Sequence, residues 1–306
     1  MGAKSQVEIN GLKLEVSNLD KVFYPKTGFT KGQVIDFYIK ISPYLLPHLK
    51  SRPISLKRYP DGVDGFFFYE KQCPAHRPDW VKTANIPRKD GGEINYCVMN
   101  DLPALVWAAN LADLELHTFL HRAPAITKPL VLAFDLDPGP PADIVQCCQV
   151  GLWLKDLFGH LKLECFPKTS GSKGLQVFVP LNTAVTYEKT KVFAHAVAES
   201  LENEYPKIVI SNMQKSLRAG KVLVDWSQND PHKTTVCVYS LRAKDHPTVS
   251  TPVTWDEVAA ALKKKSAKFL TFEAAEVLKR VEKMGDLFAP VLKLKQQLPA
   301  VDPSQK

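Results

Sequence analysis

Two aspartates stand one residue apart at the end of an apolar run, in the stretch LVLAFDLDPG at residues 130–139. If the run is a buried strand, side chains two positions apart project to the same face, so Asp135 and Asp137 point together. Two adjacent carboxylates repel, and a shared proton or a bound cation relieves the repulsion. Their hard oxygen ligands favour Mg²⁺ or Mn²⁺ over zinc. Because Asp, Pro and Gly are also common turn residues, the same letters are compatible with a simple turn.

A third carboxylate follows a second apolar run, VLVDWSQN, in which Asp225 ends a predicted strand. If this strand lies beside the first, the three acidic groups meet at one edge of a sheet. Such a set can hold two divalent ions that activate a hydroxyl and stabilise a leaving pyrophosphate. Two-metal nucleases use the same ingredients, so the carboxylates alone leave synthesis and hydrolysis of phosphodiesters open.

A Gly- and Ser-rich turn joins two predicted strands in KTSGSKGLQVFVPL, residues 168–181. Backbone N–H groups in such a turn can form an anion-binding concavity, to which Ser170, Ser172 and Lys173 add donors and charge. The spacing is not that of a Walker A loop, and a strand rather than a helix follows. The turn therefore indicates a phosphate site or, alternatively, a solvated hairpin turn.

Basic and aromatic residues alternate with turn residues in SLKRYPDGVDGFFFYEK, residues 55–71. Lys57 and Arg58 lie on a predicted strand, and three Phe and one Tyr follow at residues 66–69. Exposed rings can stack on unpaired bases while cations contact the phosphate backbone. Because an alternating strand buries every second side chain, we expect most of these rings in the core and one or two exposed.

The composition is that of a basic globular protein. Its 306 residues are 45% hydrophobic, and 40 Lys and Arg against 32 Asp and Glu give a formal charge of +8. A basic excess favours polyanionic partners such as nucleic acid. No apolar run approaches the roughly 18 to 20 residues of a membrane span, and no apolar secretory segment opens the chain. These features predict a cytoplasmic protein, associated with the nucleoid if it binds DNA.

The cysteines have no metal-site pattern. Six are present without a CxxC pair, and in a reducing compartment we expect all of them to be thiols. Cys73 and His76 have the spacing of metal ligands, but a tetrahedral zinc site usually takes four protein ligands.

The elements that must position these residues follow from hydrophobic periodicity. VEINGLKLEV predicts a hairpin with an Asn-Gly turn, and Thr30 predicts the start of a helix that Pro43 interrupts. A second helix is expected between Leu102 and Leu114. Strands and helices of mixed order follow, ending with two helices at residues 255–270 and 272–284. This order favours an α+β fold over a doubly wound parallel sheet.

As a set, the motifs resemble the archaeo-eukaryotic primase superfamily and, within it, the polymerase domain of bacterial ligase D, which acts in non-homologous end joining. The resemblance runs through NLDKVFYP, FDLDPG, KTSGSKGLQVFVPL, VDWSQN and YSLRA, over about residues 15 to 245. It implies a primase-like catalytic core with an RRM-like antiparallel or mixed sheet flanked by helices, and an N-terminal β-rich lobe. We expect one domain over residues 1–290, with the lobe at about 1–110, the core at about 111–290 and a flexible tail at 291–306.

The resemblance also implies roles for individual residues. Asp135, Asp137 and Asp225 would be catalytic and bind two divalent ions, with Mn²⁺ preferred and Mg²⁺ possible. The residues implied to contact the nucleotide or its triphosphate are His117, Ser170, Lys173 and Arg242. Those implied to contact DNA are Lys57 with Phe67 or Phe68 near the template, and Asn18, Lys21 and Lys31 around a 5′-phosphate.

One position departs from the family pattern. Members usually carry SGSKGLH, whereas this chain has Gln176 where the histidine stands. Glutamine can donate a hydrogen bond to a phosphate but cannot carry charge, so we expect weaker nucleotide binding or an altered metal preference. The length leaves no room for the ligase and phosphoesterase modules of ligase D, which predicts a stand-alone polymerase or an excised domain.

The predicted function is DNA-dependent addition of nucleotides, ribonucleotides included, to primer 3′ ends at gaps and double-strand breaks. The implied partners are DNA with gaps, overhangs or breaks bearing a 5′-phosphate, NTPs and dNTPs, Ku, and an ATP-dependent DNA ligase. We expect a monomer, or a dimer where two DNA ends are bridged. Two other functions stay open: a primase that starts strands de novo, and a non-catalytic module that binds or bridges DNA ends.

Overall fold

The structure is a computed structural model that describes residues 4–299. Within these residues the strands are β1 (Lys4–Ile9), β2 (Leu12–Ser17), β3 (Val22–Tyr24), β4 (Phe29–Thr30), β5 (Pro53–Arg58), β6 (Phe68–Glu70), β7 (Lys82–Pro87), β8 (Glu93–Val98), β9 (Asp113–Thr118), β10 (Val131–Pro138), β11 (Phe166–Thr169), β12 (Leu175–Pro180), β13 (Val209–Ile210), β14 (Val222–Asp225) and β15 (Thr235–Val236). The α-helices are α1 (Lys31–Leu49), α2 (Leu102–Asn110), α3 (Ile144–His160), α4 (Tyr187–Glu204), α5 (Trp255–Lys264) and α6 (Ala274–Met284).

The described chain divides into two compact units. The first comprises residues 4–124, 234–251 and 272–286, and the second comprises residues 125–233, 252–271 and 287–299. Each unit holds three of the α-helices and at least one sheet. Strands are paired antiparallel throughout the described sheets except for β13 with β14, which run parallel. The predicted α+β class is confirmed.

The first unit begins with the predicted hairpin. Strands β1 and β2 pair antiparallel around Asn10 and Gly11, which both have positive φ (51° and 78°), the backbone that a two-residue hairpin turn requires. Helix α1 starts as predicted, because Thr30 and Gln33 form a capping box. The expected interruption at Pro43 is wrong, since α1 continues through Pro43 and Pro47. Its buried face is anchored by residues such as Phe37, Tyr38 and Ile41, whose packing outweighs the backbone hydrogen bonds that proline removes.

A six-stranded sheet forms the centre of the first unit, in the order β15-β9-β5-β8-β7, with β6 also paired to β5. Strand β9 contains ELHT, and it directly follows α2, which ends at Asn110. A disulfide joins Cys73 to Cys97 in β8, with a Cα–Cα distance of 5.0 Å. The prediction that every cysteine is a thiol is therefore wrong for this pair, and the zinc ligand considered at Cys73 is not available as a thiolate. The other four cysteines are buried and not disulfide-bonded.

The second unit is built on a five-stranded sheet in the order β11-β12-β10-β14-β13. The central strand β10 is fully buried from Val131 to Phe134, because its apolar run faces helices and sheet core on both sides. Helix α3 packs on α5 and on β10 and β12. Residues 291–299, part of the predicted flexible tail, are held in this unit by Gln296, whose side chain accepts from Glu164 N and donates to Pro180 O. Residues 300–306 lie outside the described residues.

In the described part of the chain, no helix has both the length and the apolar character needed to cross a membrane.

Candidate functional site

A row of four polar side chains crosses the sheet of the second unit. Lys168 on β11 lies opposite Gln176 on β12, Gln176 lies opposite Asp135 on β10, and Asp135 lies opposite Asp225 on β14. Residues directly opposite on neighbouring strands share one face of a sheet, and Asp137 joins that face two positions after Asp135. We call these five residues the carboxylate row. The structure thus brings the three aspartates named from the sequence onto neighbouring strands.

Asp135 lies at the centre of this row in an unfavourable environment. Its Oδ1 atom is buried and has no hydrogen-bond partner in the described structure. Burial, followed by the neighbouring charge of Asp137 and more weakly that of Asp225, raises the pKa of Asp135 to about 7. A hydrogen bond from Gln176 and the charge of Lys168 act in the opposite direction. A further positive charge nearby would therefore stabilise the ionised form of this carboxylate.

Asp225 is held in place by the residues that follow it. Its carboxylate accepts from Ser227 N at 2.8 Å, from Ser227 Oγ at 2.5 Å and from Gln228 Nε2 at 2.9 Å. The SQ of VDWSQN therefore orients the third carboxylate of the row.

The predicted phosphate loop connects β11 to β12 beside the row. Ser170 is buried, and its Oγ accepts from Ser172 N at 3.2 Å and Gly174 N at 3.1 Å, so it organises the turn. A Cβ on Gly174 would lie 2.2 Å from the carbonyl oxygen of Leu136, so only glycine allows the loop to approach β10 so closely. Ser172 and Lys173 are exposed and can reach a ligand.

The residues of the row fit a divalent ion that takes part of its coordination from a substrate. Across residues 4–299, no three His, Cys, Asp or Glu side chains converge into a ready-made metal cage. Mg²⁺ and similar ions are commonly bound by one or two carboxylates, with waters and substrate phosphates completing the shell. The orphaned Oδ1 of Asp135 beside two further carboxylates is the donor chemistry that such an ion needs.

A second polar cluster, which we call the cation cluster, lies in the first unit around Glu115. This carboxylate is 1% exposed and lies 3.0 Å from His117 Nε2, 3.4 Å from Lys57 Nζ and 3.4 Å from Arg242 Nε. Its other oxygen accepts from the backbone N–H of Ala243 at 3.0 Å. Burial raises the pKa of Glu115, but the His117 hydrogen bond and the charges of Arg242 and Lys57 outweigh burial and lower it overall. Burial also lowers the pKa of His117, which the Glu115 contact only partly offsets.

Aromatic rings surround Lys57 on the exposed side of this cluster. Its Nζ lies 4.8 Å from the ring centroid of Phe67, 5.2 Å from Tyr59 and 5.5 Å from Tyr69, distances typical of cation–π contacts. The prediction of one or two exposed rings is wrong, because three are exposed: Phe66 (70%), Phe67 (48%) and Tyr69 (52%). The short strand β6 begins only at Phe68, so strand alternation does not bury the two rings before it.

Arg58 and Phe68 are more enclosed than the sequence suggests. Arg58 donates to Leu111 O at 2.7 Å and to Glu70 at 2.8 Å, and its guanidinium lies 5.2 Å from the Phe68 ring centroid. These contacts give Arg58 a structural role in the sheet.

The N-terminal basic residues are brought together by the turn after β2. Asn18 has a positive φ of 56°, and the backbone N–H of Lys31 donates to Lys21 O at 2.8 Å. Lys21 Nζ donates to Pro60 O at 2.7 Å and pairs with Asp61 at 2.9 Å. Lys31 is buried, with Nζ 2.7 Å from Ser17 O, and burial followed by the charge of Lys21 lowers its pKa to about 8. Asn18, Lys21 and Lys31 are therefore neighbours, as a shared phosphate pocket would require.

Two residues of these sites were not predicted. Glu115 and Lys168 are charged residues within buried strands. A charged residue inside a strand-like stretch is the feature of the sequence that could have pointed to them. The apolar letters around them alternate too weakly to show that the charged side chain faces inward.

Comparison with protein-family models places the chain among the primase-polymerase domains. Residues 30–288 match the family described as LigD, primase-polymerase domain, and the chain belongs to that family. The polymerase domain from Mycobacterium tuberculosis ligase D in complex with DNA superposes with a TM-score of 0.85 at 38% identity, over 91% of this chain and 98% of that one. These matches confirm the family resemblance and fold class predicted from the motifs.

Longer curated proteins are similar over the same region. The multifunctional non-homologous end joining protein LigD of Mycolicibacterium smegmatis is 42% identical over 285 residues, 91% of this chain and 36% of that protein. The bifunctional non-homologous end joining protein LigD of Bacillus subtilis is 32% identical over 274 residues, 89% of this chain and 43% of that protein. The chain thus spans less than half the length of these relatives.

Proposed function

We propose that this chain is a nucleotidyltransferase that extends primer 3′ ends on DNA, in the manner of a polymerase that acts at gaps and breaks. The observation that carries the proposal is the carboxylate row, in which Asp135 and Asp225 are directly opposed and Asp135 keeps an unpartnered buried oxygen. Membership of the LigD primase-polymerase family supports the same function.

Asp135, Asp137 and Asp225 would hold two divalent ions, with Mn²⁺ expected to be preferred. When bound, the ions would lower the pKa of the attacking 3′-hydroxyl and neutralise charge on the triphosphate. The protein's own contribution includes fixing the Asp225 carboxylate through Ser227 and Gln228. Ser172 and Lys173 of the phosphate loop offer exposed donors to the triphosphate.

The first unit offers surfaces that suit DNA. The cation cluster presents Lys57 among the exposed Phe67 and Tyr69 rings, a combination that suits an unpaired template base and its phosphate. His117 and Arg242, which contact Glu115, stay our prediction for nucleotide contacts. Lys21 and Lys31 near Asn18 suit a 5′-phosphate, since they bring two basic side chains to neighbouring positions.

The cellular setting is also part of the proposal. The names of the relatives refer to non-homologous end joining, so we propose the same pathway for this chain, in the cytoplasm at the nucleoid. A DNA ligase, fused or separate, and Ku are the expected partners. NTPs and dNTPs are the proposed substrates, with ribonucleotides readily used.

A primer-extension assay tests the proposal directly. Asp135→Ala with Asp137→Ala should abolish extension of a 5′-phosphorylated gapped duplex in Mn²⁺, whereas the exposed pair Glu199→Ala and Glu204→Ala should leave it unchanged. Native rates in the first variant would refute the mechanism. Efficient synthesis on a primer-free template would instead indicate a primase, and salt-sensitive DNA binding without incorporation would indicate an end-binding module.

A further inference from the structure

Lys168 is the most unusual charged residue of the second unit. Its side chain is 0% exposed, although a lysine on a strand next to a loop could extend into solvent. Burying an ammonium group is costly unless it is hydrogen-bonded and electrostatically compensated. On the same face of the sheet, Asp135 and Asp137 lie two strands away and Asp225 lies three strands away.

The contacts of Lys168 lead directly to Asp135. Its Nζ donates to Oε1 of Gln176, which is itself 2% exposed, and it lies 5.5 Å from the Phe178 ring centroid. Gln176 in turn hydrogen-bonds Asp135. Because an ammonium group can only donate, its partner must be the amide oxygen, and the amide NH₂ group is left to donate to the carboxylate.

We propose that Lys168 is a positioning residue of the carboxylate row, which fixes the Gln176 amide toward Asp135 and supplies a positive charge that helps the site accept a nucleoside triphosphate. This inference rests on the proposed function. Three carboxylates repel a triphosphate, and one buried cation in the same row offsets part of that repulsion. The phosphate loop follows Lys168 immediately, so the charge lies at the base of the loop.

The proposal makes opposite predictions for metal and nucleotide. In Lys168→Met the aspartates lose a neighbouring cation, so Mn²⁺ alone should bind as tightly as in the wild type or more tightly. Binding of a nucleoside triphosphate in the presence of Mn²⁺ should weaken about tenfold, because one positive charge beside the three carboxylates is lost. A merely structural lysine would weaken both ligands together or neither.

A double substitution distinguishes a loss of nucleotide binding from a loss of folding. Lys168→Met removes the donor to Gln176 Oε1, and Gln176→Met removes an acceptor of the buried ammonium group, so each single change should lower the melting temperature. Lys168→Met with Gln176→Met replaces both partners by apolar groups of similar length and should recover most of that stability. Its nucleotide affinity should stay about tenfold reduced, no lower than in Lys168→Met, because the two residues act as one unit.

The experiment measures Mn²⁺ binding by electron paramagnetic resonance, ATP binding with Mn²⁺ by calorimetry, and melting temperature for the three variants. The control is Lys155→Met, which replaces an exposed lysine on α3 and changes the net charge by the same amount. A folded double variant with wild-type ATP affinity, or a parallel fall of both affinities in Lys168→Met, would overturn the proposal. If the wild type itself does not bind ATP, the proposed function and the role of Lys168 in nucleotide binding both fail, whereas wild-type ATP binding that Lys168→Met leaves unchanged would overturn the role of Lys168 alone.

Discussion

The two polar clusters of this chain have opposite arrangements of charge. In the cation cluster, three basic side chains surround one buried glutamate, and all three lie within 3.4 Å of it. In the carboxylate row, three aspartates share a sheet face with one buried lysine, which donates to Gln176 beside Asp135. The first arrangement satisfies its central charge, while the second leaves a buried carboxylate oxygen without a partner.

The pKa shifts of the central acids record this difference. The pKa of Glu115 is lowered in spite of burial, because the hydrogen bond from His117 and the charges of Arg242 and Lys57 stabilise its ionised form. The pKa of Asp135 is raised, because burial and like charges oppose ionisation. The cation cluster is therefore organised before any ligand arrives, whereas the carboxylate row would need a proton or a bound cation to balance its charge.

Removing the central acid of the cation cluster should have the largest effect. Glu115→Gln leaves Lys57 and Arg242 without their buried counter-charge, so the free energy of unfolding at neutral pH should fall by about 3 kcal/mol. Because the folded-state pKa is lowered, the contribution of Glu115 is present above its unfolded value near 4.5 and is lost as the pH falls below it. The deficit of the variant should therefore shrink in acid, as urea unfolding would measure.

The matched control is Glu70→Gln, which removes a carboxylate paired with Arg58 at 2.8 Å on a more exposed part of the same sheet. Its effect should be much smaller. Equal losses of unfolding free energy in the two variants would show that Glu115 stabilises the fold no more than an ordinary ion pair does.

The exposed side of the cation cluster should bind DNA without contributing much stability. Phe67→Leu with Tyr69→Leu removes two exposed rings beside Lys57, and affinity for a single-stranded template overhang should fall about tenfold through lost base stacking. Fluorescence anisotropy measures this loss. The exposed Phe269 in the second unit gives the control, since Phe269→Leu should leave DNA affinity unchanged. Similar losses in both variants would mean that general hydrophobicity, not this surface, binds the template.

The sequence predicts the carboxylate row better than the cation cluster, for a physical reason. VLAFDLDP and VLVD are apolar runs ending in acids, so their strand character follows from local pattern, although the pairing of Asp135 with Asp225 depends on strand register. Glu115 and Lys168 depend on strand register, since only the pairings of β5 with β9 and of β11 with β12 reveal what each charge faces. Strands β7 and β8 are not predicted either, because KTANIP and EINYCV carry weak alternation and a proline.

Relieving the repulsion in the carboxylate row should have the smallest effect, and it should raise thermal stability rather than lower it. Asp135→Asn removes one of three like charges, so in the presence of a chelator the variant should melt a few degrees above the wild type at neutral pH. Below about pH 4 Asp135 is protonated in both the folded and the unfolded state, so the two proteins should then be equally stable. Between that pH and about 7 the unfolded chain ionises while the folded carboxyl resists, so the advantage of the variant should grow. Asp36→Asn, an exposed change on α1, should show no such growth, and an advantage of Asp135→Asn that is constant with pH would mean that the repulsion inferred from the row is absent.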